Sequence, residues 1–237
     1  MNQPVHVSTL TINGQWVAAR DDSTILDVAE ENDIFIPTLC HLNGLSEVSS
    51  CRLCLVEVKG YSRPVPACSL HVREGMEITT ESAALTEHRR TILELLLSEG
   101  NHICSVCVSN GHCELQTLAQ TLGVDHLTMP YRFPRRTVDA SHPRFVFDRN
   151  RCVLCTRCVR VCDEIEKAHN WDVMGRGIDA VVTSDLGLPW NQSDICTSCG
   201  KCVQVCPTGA LSEKGKAVGE MVKHQLQLHV VKEPVLD

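Results

Sequence analysis

The sequence predicts an α+β chain built from several small modules, on three observations. Alternating apolar residues before position 80 read as strands, an apolar stripe at helical spacing begins at Ser82, and the fifteen cysteines fall into groups rather than scattering. Aromatic residues are only 4% of the 237, so modules held in part by metal fit better than one large core. The net charge of −7 argues against nucleic acid as the main partner. Basic residues cluster at Arg132, Arg135, Arg136, Arg144, Arg149 and Arg151; this is either a solvated face or a protein-docking surface.

An odd number of cysteines argues against a secreted disulfide framework. No apolar signal core opens the chain and no run is long enough for a transmembrane segment, so the expected location is cytoplasmic. A reducing compartment leaves the thiolates free for metal.

In order along the chain, VSTLTINGQWVAA (7–19) is two alternating runs around Asn13-Gly14, a hairpin. Thr24 to Asn32 reads as a helix with Ile25, Val28 and Ala29 on one side. CLVEVKG, VPACSLHV and MEITT read as strands. Among them Cys40, Cys51, Cys54 and Cys68 are spaced C-x10-C-x2-C-x13-C, four thiolates that suit a [2Fe–2S] cluster, although the first gap departs from the plant-type spacing. Zinc is the competing occupant. His41 and His71 lie outside the pattern and read as incidental.

Ser82 is the expected N-cap, and Gly100 the expected stop, of the helix SAALTEHRRTILELLLSEG. It leads to Cys104, Cys107 and Cys113, one ligand short of a [4Fe–4S] cluster. His102 is the leading candidate for the vacancy and His112 its competitor; an imidazole in place of a thiolate makes a site less negative and tends to raise its potential. A short helix is expected to end near Gly123, and Tyr131 to Asp148 reads as a linker.

The densest pattern follows. Cys152-x2-Cys155-x2-Cys158-x3-Cys162 is repeated as Cys196-x2-Cys199-x2-Cys202-x3-Cys206-Pro207, the ligand pattern of a bacterial-type ferredoxin with two [4Fe–4S] clusters. The fourth cysteine of each run serves the other run's cluster, which groups Cys152, Cys155, Cys158 and Cys206, and Cys196, Cys199, Cys202 and Cys162. Two zinc sites would leave cysteines at these spacings unexplained. Between the runs, Val159 to His169 looks helical and Ile178 to Thr183 strand-like. Gly175-x-Gly177-x-x-Ala180, with Asp194 beyond it, matches a dinucleotide fingerprint, but no βαβ unit fits between Cys162 and Cys196. No catalytic triad or paired carboxylates stand out. After Ser212, the apolar Met221, Val222, Leu226, Leu228, Val230 and Val231 form a tail that either packs on its own domain or docks on a partner.

This order of sites, including the GNHxCxxCxxxxxCELQ segment, resembles the N-terminal electron-transfer module of the largest peripheral subunit of respiratory complex I. It is similar also to the front of some iron-only hydrogenases and to the diaphorase small subunit of NAD-reducing, bidirectional nickel–iron hydrogenases. The likeness covers about residues 8 to 212. Because the chain stops shortly after Cys206, the free-standing diaphorase subunit is the expected match. The resemblance implies a β-grasp [2Fe–2S] domain (1–80), a small helical domain whose [4Fe–4S] cluster has one His and three Cys ligands (81–140), a double [4Fe–4S] ferredoxin-like domain (141–212) and a tail (213–237). It implies Cys40, Cys51, Cys54 and Cys68 for the first cluster, and His102, Cys104, Cys107 and Cys113 for the second. It further implies a non-catalytic role in electron transfer between an FMN- and NAD-binding diaphorase large subunit and the small and large subunits of a nickel–iron hydrogenase, with FMN and NAD on the partner. Two departures stand out. The complex I-type motif places its His four residues before the first cysteine, where this chain has Gly100, and Asp163 follows Cys162 where a ferredoxin has Pro.

Overall fold

The computed structural model describes residues 6–221. The described residues form two compact units, one of residues 6–41 and 47–92, the other of residues 42–46 and 93–221.

In the first unit, β1 (Val7–Ile12) and β2 (Gln15–Arg20) pair antiparallel around Asn13 and Gly14. Both turn residues have positive φ, as the tight turn demands. Helix α1 (Ile25–Glu31) starts at Thr24, whose hydroxyl accepts from the Asp27 N–H while the Asp27 carboxylate accepts from the Thr24 N–H. This reciprocal cap satisfies two donors that a helix start otherwise leaves bare. Strands β3 (Leu55–Val58), β4 (Val65–Pro66) and β5 (Glu77–Thr79) complete a five-stranded sheet in the order β2-β1-β5-β3-β4, in which the β1–β5 contact is parallel and the rest antiparallel. Leu10, Ile12 and Ile78 share one core with Ile25, Leu26 and Val28, so the helix lies on the mixed sheet as the β-grasp expectation requires. The expected VPACSLHV strand shrinks to Val65–Pro66: the backbone N–H groups of Ser69 and Leu70 fold back onto the Pro66 carbonyl in a turn, which places Cys68 at its bend.

Helix α2 (Ala83–Glu99) carries the chain into the second unit, with the Ser82 hydroxyl accepting from the Leu85 N–H as the expected cap. Helix α3 (Glu114–Thr121) ends at Leu122, with Gly123 in the left-handed conformation. Here one expectation is corrected. The segment read as a linker supplies β6 (Val138–Asp139) and β7 (Phe145–Asp148), which join β10 (Leu211–Glu213) in a sheet ordered β10-β7-β6. Two arginines of the basic cluster bond backbone of the neighbouring hairpin region, Arg136 donating to the Ala180 and Ile178 carbonyls and Arg149 to that of Val182, whereas Arg132, Arg135 and Arg144 are exposed. Between β7 and β10 lie α4 (Arg157–Arg160), the hairpin β8 (Trp171–Met174) and β9 (Val181–Ser184), and α5 (Lys201–Gln204). Gly175 and Gly177 turn that hairpin with positive φ, which accounts for them without a nucleotide. Phe145, Phe147, Trp171 and Trp190 fill the core among cysteines of both runs. Met221 packs on this core; Val222, Leu226, Leu228, Val230 and Val231 lie outside the described residues.

Candidate iron–sulfur centres

In the first unit the four cysteines come together as two pairs. The Cys40 and Cys51 sulfurs are 3.4 Å apart and those of Cys54 and Cys68 3.5 Å apart. Within each pair the shared hydrogen bond splits the acidities: it draws Cys40 down to about 5 and Cys68 to about 7, while Cys51 and Cys54 are pushed far up, first by that bond and then by burial. Two thiol pairs are the donor set that two irons use, one pair to each metal. The residues fit a [2Fe–2S] group. Arg89, buried in α2, donates to the carbonyls of Leu53, Leu55 and Thr80, and so ties down the loop between Cys51 and Cys54. His41 bonds Glu47 and stands outside the thiol pairs.

In the second unit, His102, Cys104, Cys107 and Cys113 line one cavity of about 260 Å³, room for a group far larger than a single ion. Cys104 to Val106 form a 3-10 turn, and Cys113 precedes the first turn of α3. His102 is held neutral, its pKa lowered to about 4 by burial and then by the Arg151 charge, while the Leu96 carbonyl bonds the ring. Its Nε2 is buried and has no partner. A neutral imidazole anchored on a carbonyl, with one bare nitrogen beside three cysteines, is what a metal-ligating histidine looks like before its metal. His112 is exposed and does not line this cavity. The ring of His102 also occupies the space that a side chain at position 100 would need, since a Cβ on Gly100 would collide with it. The first motif departure thus has a steric account: glycine at 100 and histidine at 102 go together.

The two four-cysteine runs wind alike. Leu154 and Thr156 in the first, and Ser198 and Gly200 in the second, take positive φ at matching offsets. Three of these are not glycine, a strain of the kind that collects at functional sites. The thiols sort by crossing between runs. That of Cys158 is pushed up by burial and then by Cys155, Cys152, Cys206 and, last, Cys202. Burial drives Cys152 to about 11 and Cys155 to about 12, with Cys206 the first thiol acting on each. The thiol of Cys202 is raised by burial and then by Cys199, Cys162 and Cys196. Cys162, Cys196, Cys199 and Cys202 line one cavity with Trp190, whose indole N–H donates to the Cys196 sulfur at 3.2 Å. Buried thiols this reluctant to ionise become ligands when a metal replaces the proton. Among the described residues no three His, Cys, Asp or Glu side chains gather tightly enough for one metal ion; a cluster spreads its thiolates over several irons.

The second departure also has a structural counterpart. Around Cys162 the helix widens into a π-turn, Val161–Glu166, and the Asp163 carboxylate pairs with His169. Such wide turns are frequent at functional sites. The Asn170 N–H then reaches the Cys162 sulfur at 3.4 Å.

Sequence reasoning missed four residues around these sites: Arg89, Trp190, Arg157 and Lys201. The last two had a signal, since each directly precedes the third cysteine of its run.

Three protein-family models match the chain: a 2Fe-2S iron-sulfur cluster binding domain over residues 6–83, the NADH-ubiquinone oxidoreductase-G iron-sulfur binding region over 89–128, and the ferredoxin-like domain of NADH-quinone oxidoreductase subunit 3 over 143–212. The NADP-reducing hydrogenase subunit HndD of Solidesulfovibrio fructosivorans is 41% identical over 216 residues, 86% of this chain, which spans only 36% of that relative's length. The gamma subunit of the NAD-reducing hydrogenase HoxS of Cupriavidus necator is 32% identical over 210 residues, 86% of both chains. A chain in the crystal structure of NAD+-reducing [NiFe]-hydrogenase in the H2-reduced state superposes with a TM-score of 0.82 at 33% identity, covering 91% of each.

Proposed function

The chain belongs to the family of the gamma subunit of NAD-reducing hydrogenase, and from that premise we propose that it is the iron–sulfur electron-transfer subunit of such a complex, with no substrate site of its own. What carries this reading is the grouping of thiols: Cys40 with Cys51 and Cys54 with Cys68 within 3.5 Å, one cavity lined by Cys104, Cys107, Cys113 and His102 with its unpartnered Nε2, and another lined by Cys162, Cys196, Cys199 and Cys202. Cys40, Cys51, Cys54 and Cys68 would hold one [2Fe–2S] cluster. Three [4Fe–4S] clusters would sit on His102 with Cys104, Cys107 and Cys113, on Cys152, Cys155, Cys158 and Cys206, and on Cys196, Cys199, Cys202 and Cys162. Bound there, the clusters supply one-electron chemistry, which links a two-electron nicotinamide couple to a distant metal centre.

The protein's own part is to fix the order of the sets and shield them. The Glu114 N–H, next to Cys113, donates to the carbonyl of Pro207, next to Cys206, at 2.9 Å. Gly209 comes so close to Cys107 that a Cβ there would lie 2.8 Å from its sulfur. The histidine-containing set thus abuts the Cys152 set, which meets the Cys196 set where Cys158 and Cys202 are neighbours. The expected partners are an FMN- and NAD-binding diaphorase subunit and the two subunits of a nickel–iron hydrogenase, in the reducing cytoplasm. Among the described residues no helix is long and apolar enough to cross a membrane.

Purification with native partners under anaerobic conditions should yield roughly fourteen Fe per chain with acid-labile sulfide, and a nickel–iron subunit alongside. Stoichiometric zinc in a colourless protein would refute the cluster reading; a molybdenum partner in place of the nickel–iron one would move the chain to a formate dehydrogenase-like complex.

A further inference from the structure

The two cysteine runs carry a buried cation at the same place, Arg157 before Cys158 and Lys201 before Cys202, and both are among the buried residues. A buried charge is tolerated only when paired, and each has one carboxylate. Lys201 is engaged by Glu166, itself mostly buried. Arg157 forms a two-pronged pair with Glu114, Nη1 to Oε1 at 2.7 Å and Nη2 to Oε2 at 2.9 Å. That fork uses both terminal nitrogens and leaves the third, Nε. The Arg157 Nε is buried and has no hydrogen-bond partner. Arg157 directly precedes Cys158, and after Glu114 the side chains that act on its charge are Cys155 and Cys206, one from each run and both in the Cys152 set.

A buried N–H without an acceptor is costly, and a native structure rarely keeps one without purpose. The acceptors such a site would offer once loaded are thiolate and sulfide sulfurs. We propose that Arg157, locked in orientation by Glu114, donates its Nε–H to the iron–sulfur group of Cys152, Cys155, Cys158 and Cys206, and thereby raises the midpoint potential of that group alone. Hydrogen bonds to sulfur and nearby positive charge both favour the reduced, more negative state. Glu114 takes a double part. Its backbone binds Pro207 beside Cys206 and its carboxylate aims Arg157, which accounts for a glutamate directly after Cys113. The inference rests on the ligand sets proposed above. Arg157 is a tuning and positioning residue, not a catalytic one.

The test is an EPR-monitored redox titration of the assembled complex, comparing wild type with Arg157→Lys, which keeps charge but loses Nε–H, and Arg157→Gln, which loses both. Iron and sulfide content is measured on each sample. The expected midpoint of the Cys152-set signal falls in the order wild type, Lys, Gln, with the other signals unmoved. Arginine labelled with ¹⁵N at Nε should show a nitrogen coupling to that reduced cluster in the wild type. An iron-replete Gln variant with an unshifted midpoint, a Lys value below the Gln value, or a shift on another cluster overturns the proposal. Should the Gln variant fail to load, the pair of wild type and Lys decides it: equal midpoints and no ¹⁵N coupling refute it. Failure of the underlying reading is a separate result, seen as missing iron in the wild type.

Discussion

At the residue scale, His102 is the position on which most depends. Its bare Nε2, the carbonyl that holds the ring and the cavity shared with three cysteines single it out, whereas His112 is exposed. His102→Ala should therefore change the EPR signature of one [4Fe–4S] centre while His112→Ala leaves every signal intact; the reverse pattern would reassign the ligand. His142 illustrates a histidine with a different task. It is buried, stacks on Phe145 at 4.8 Å and lies tilted against Trp190 at 4.6 Å, and its Nδ1 accepts from the N–H groups of Arg144 and Phe145. Burial, with Arg144 and Lys214 adding to it and Asp139 opposing, lowers its pKa below the ordinary 6.5. The unfolded chain then binds more protons than the folded one just below 6.5, so stability falls as pH drops from that value through the folded pKa. His142→Gln should flatten this slope in urea denaturation followed by circular dichroism between about pH 5 and pH 7.5.

At the scale of elements, the two cysteine loops share a backbone but not a side-chain solution. Gly200 has φ +75°, and a Cβ there would stand 3.0 Å from the Phe145 ring. Gly200→Ala should cost about 1–2 kcal/mol for the left-handed backbone alone, read as a lowered thermal midpoint. Thr156 occupies the matching left-handed position, with φ +60°. Thr156→Gly should stay within about 1 kcal/mol of wild type, since relief of strain is offset by the entropy of glycine in the unfolded chain. Helix α1 was legible because its cap, its apolar stripe and its first-turn acid are all local. Strands β6 and β7 were not: Val138–Asp139 and Phe145–Asp148 are short, broken by Pro143, and become strands only because Leu211–Glu213 returns to pair with Phe147 and its neighbours.

For the whole molecule, the proposed exchange of the fourth cysteine between the runs would add a tie to the core that Phe145, Phe147, Trp171 and Trp190 already form in the second unit. Cys206 acts on Cys152 and Cys155, Cys162 acts on Cys202, and Cys199 and Cys196 act on Cys162, all between runs that lie far apart in the chain. Replacing Cys206 with Ser should therefore damage the centre whose other thiols lie at 152 to 158 before it touches the one nearer in sequence. EPR quantitation of the two signals checks this, and preferential loss of the Cys196-set signal would contradict the exchange.

By itself the sequence determined which thiols could belong together and what they could bind, because ligand spacing within a turn or two of chain is a local property: C-x2-C-x2-C leaves little freedom once the backbone winds around a metal. The hairpin at Asn13-Gly14, the α1 cap and the run of α2 were readable for the same reason. Tertiary structure alone decided what depends on groups far apart in the chain. It buried His102 with an unpartnered nitrogen and left His112 exposed, turned a supposed linker into sheet, brought Arg89 to the carbonyls of the Cys51–Cys54 loop, and forked Arg157 onto Glu114 with its Nε left bare. Burial and hydrogen-bond satisfaction are properties of the packed chain, and no periodicity along the sequence encodes which buried nitrogen will be left without a partner.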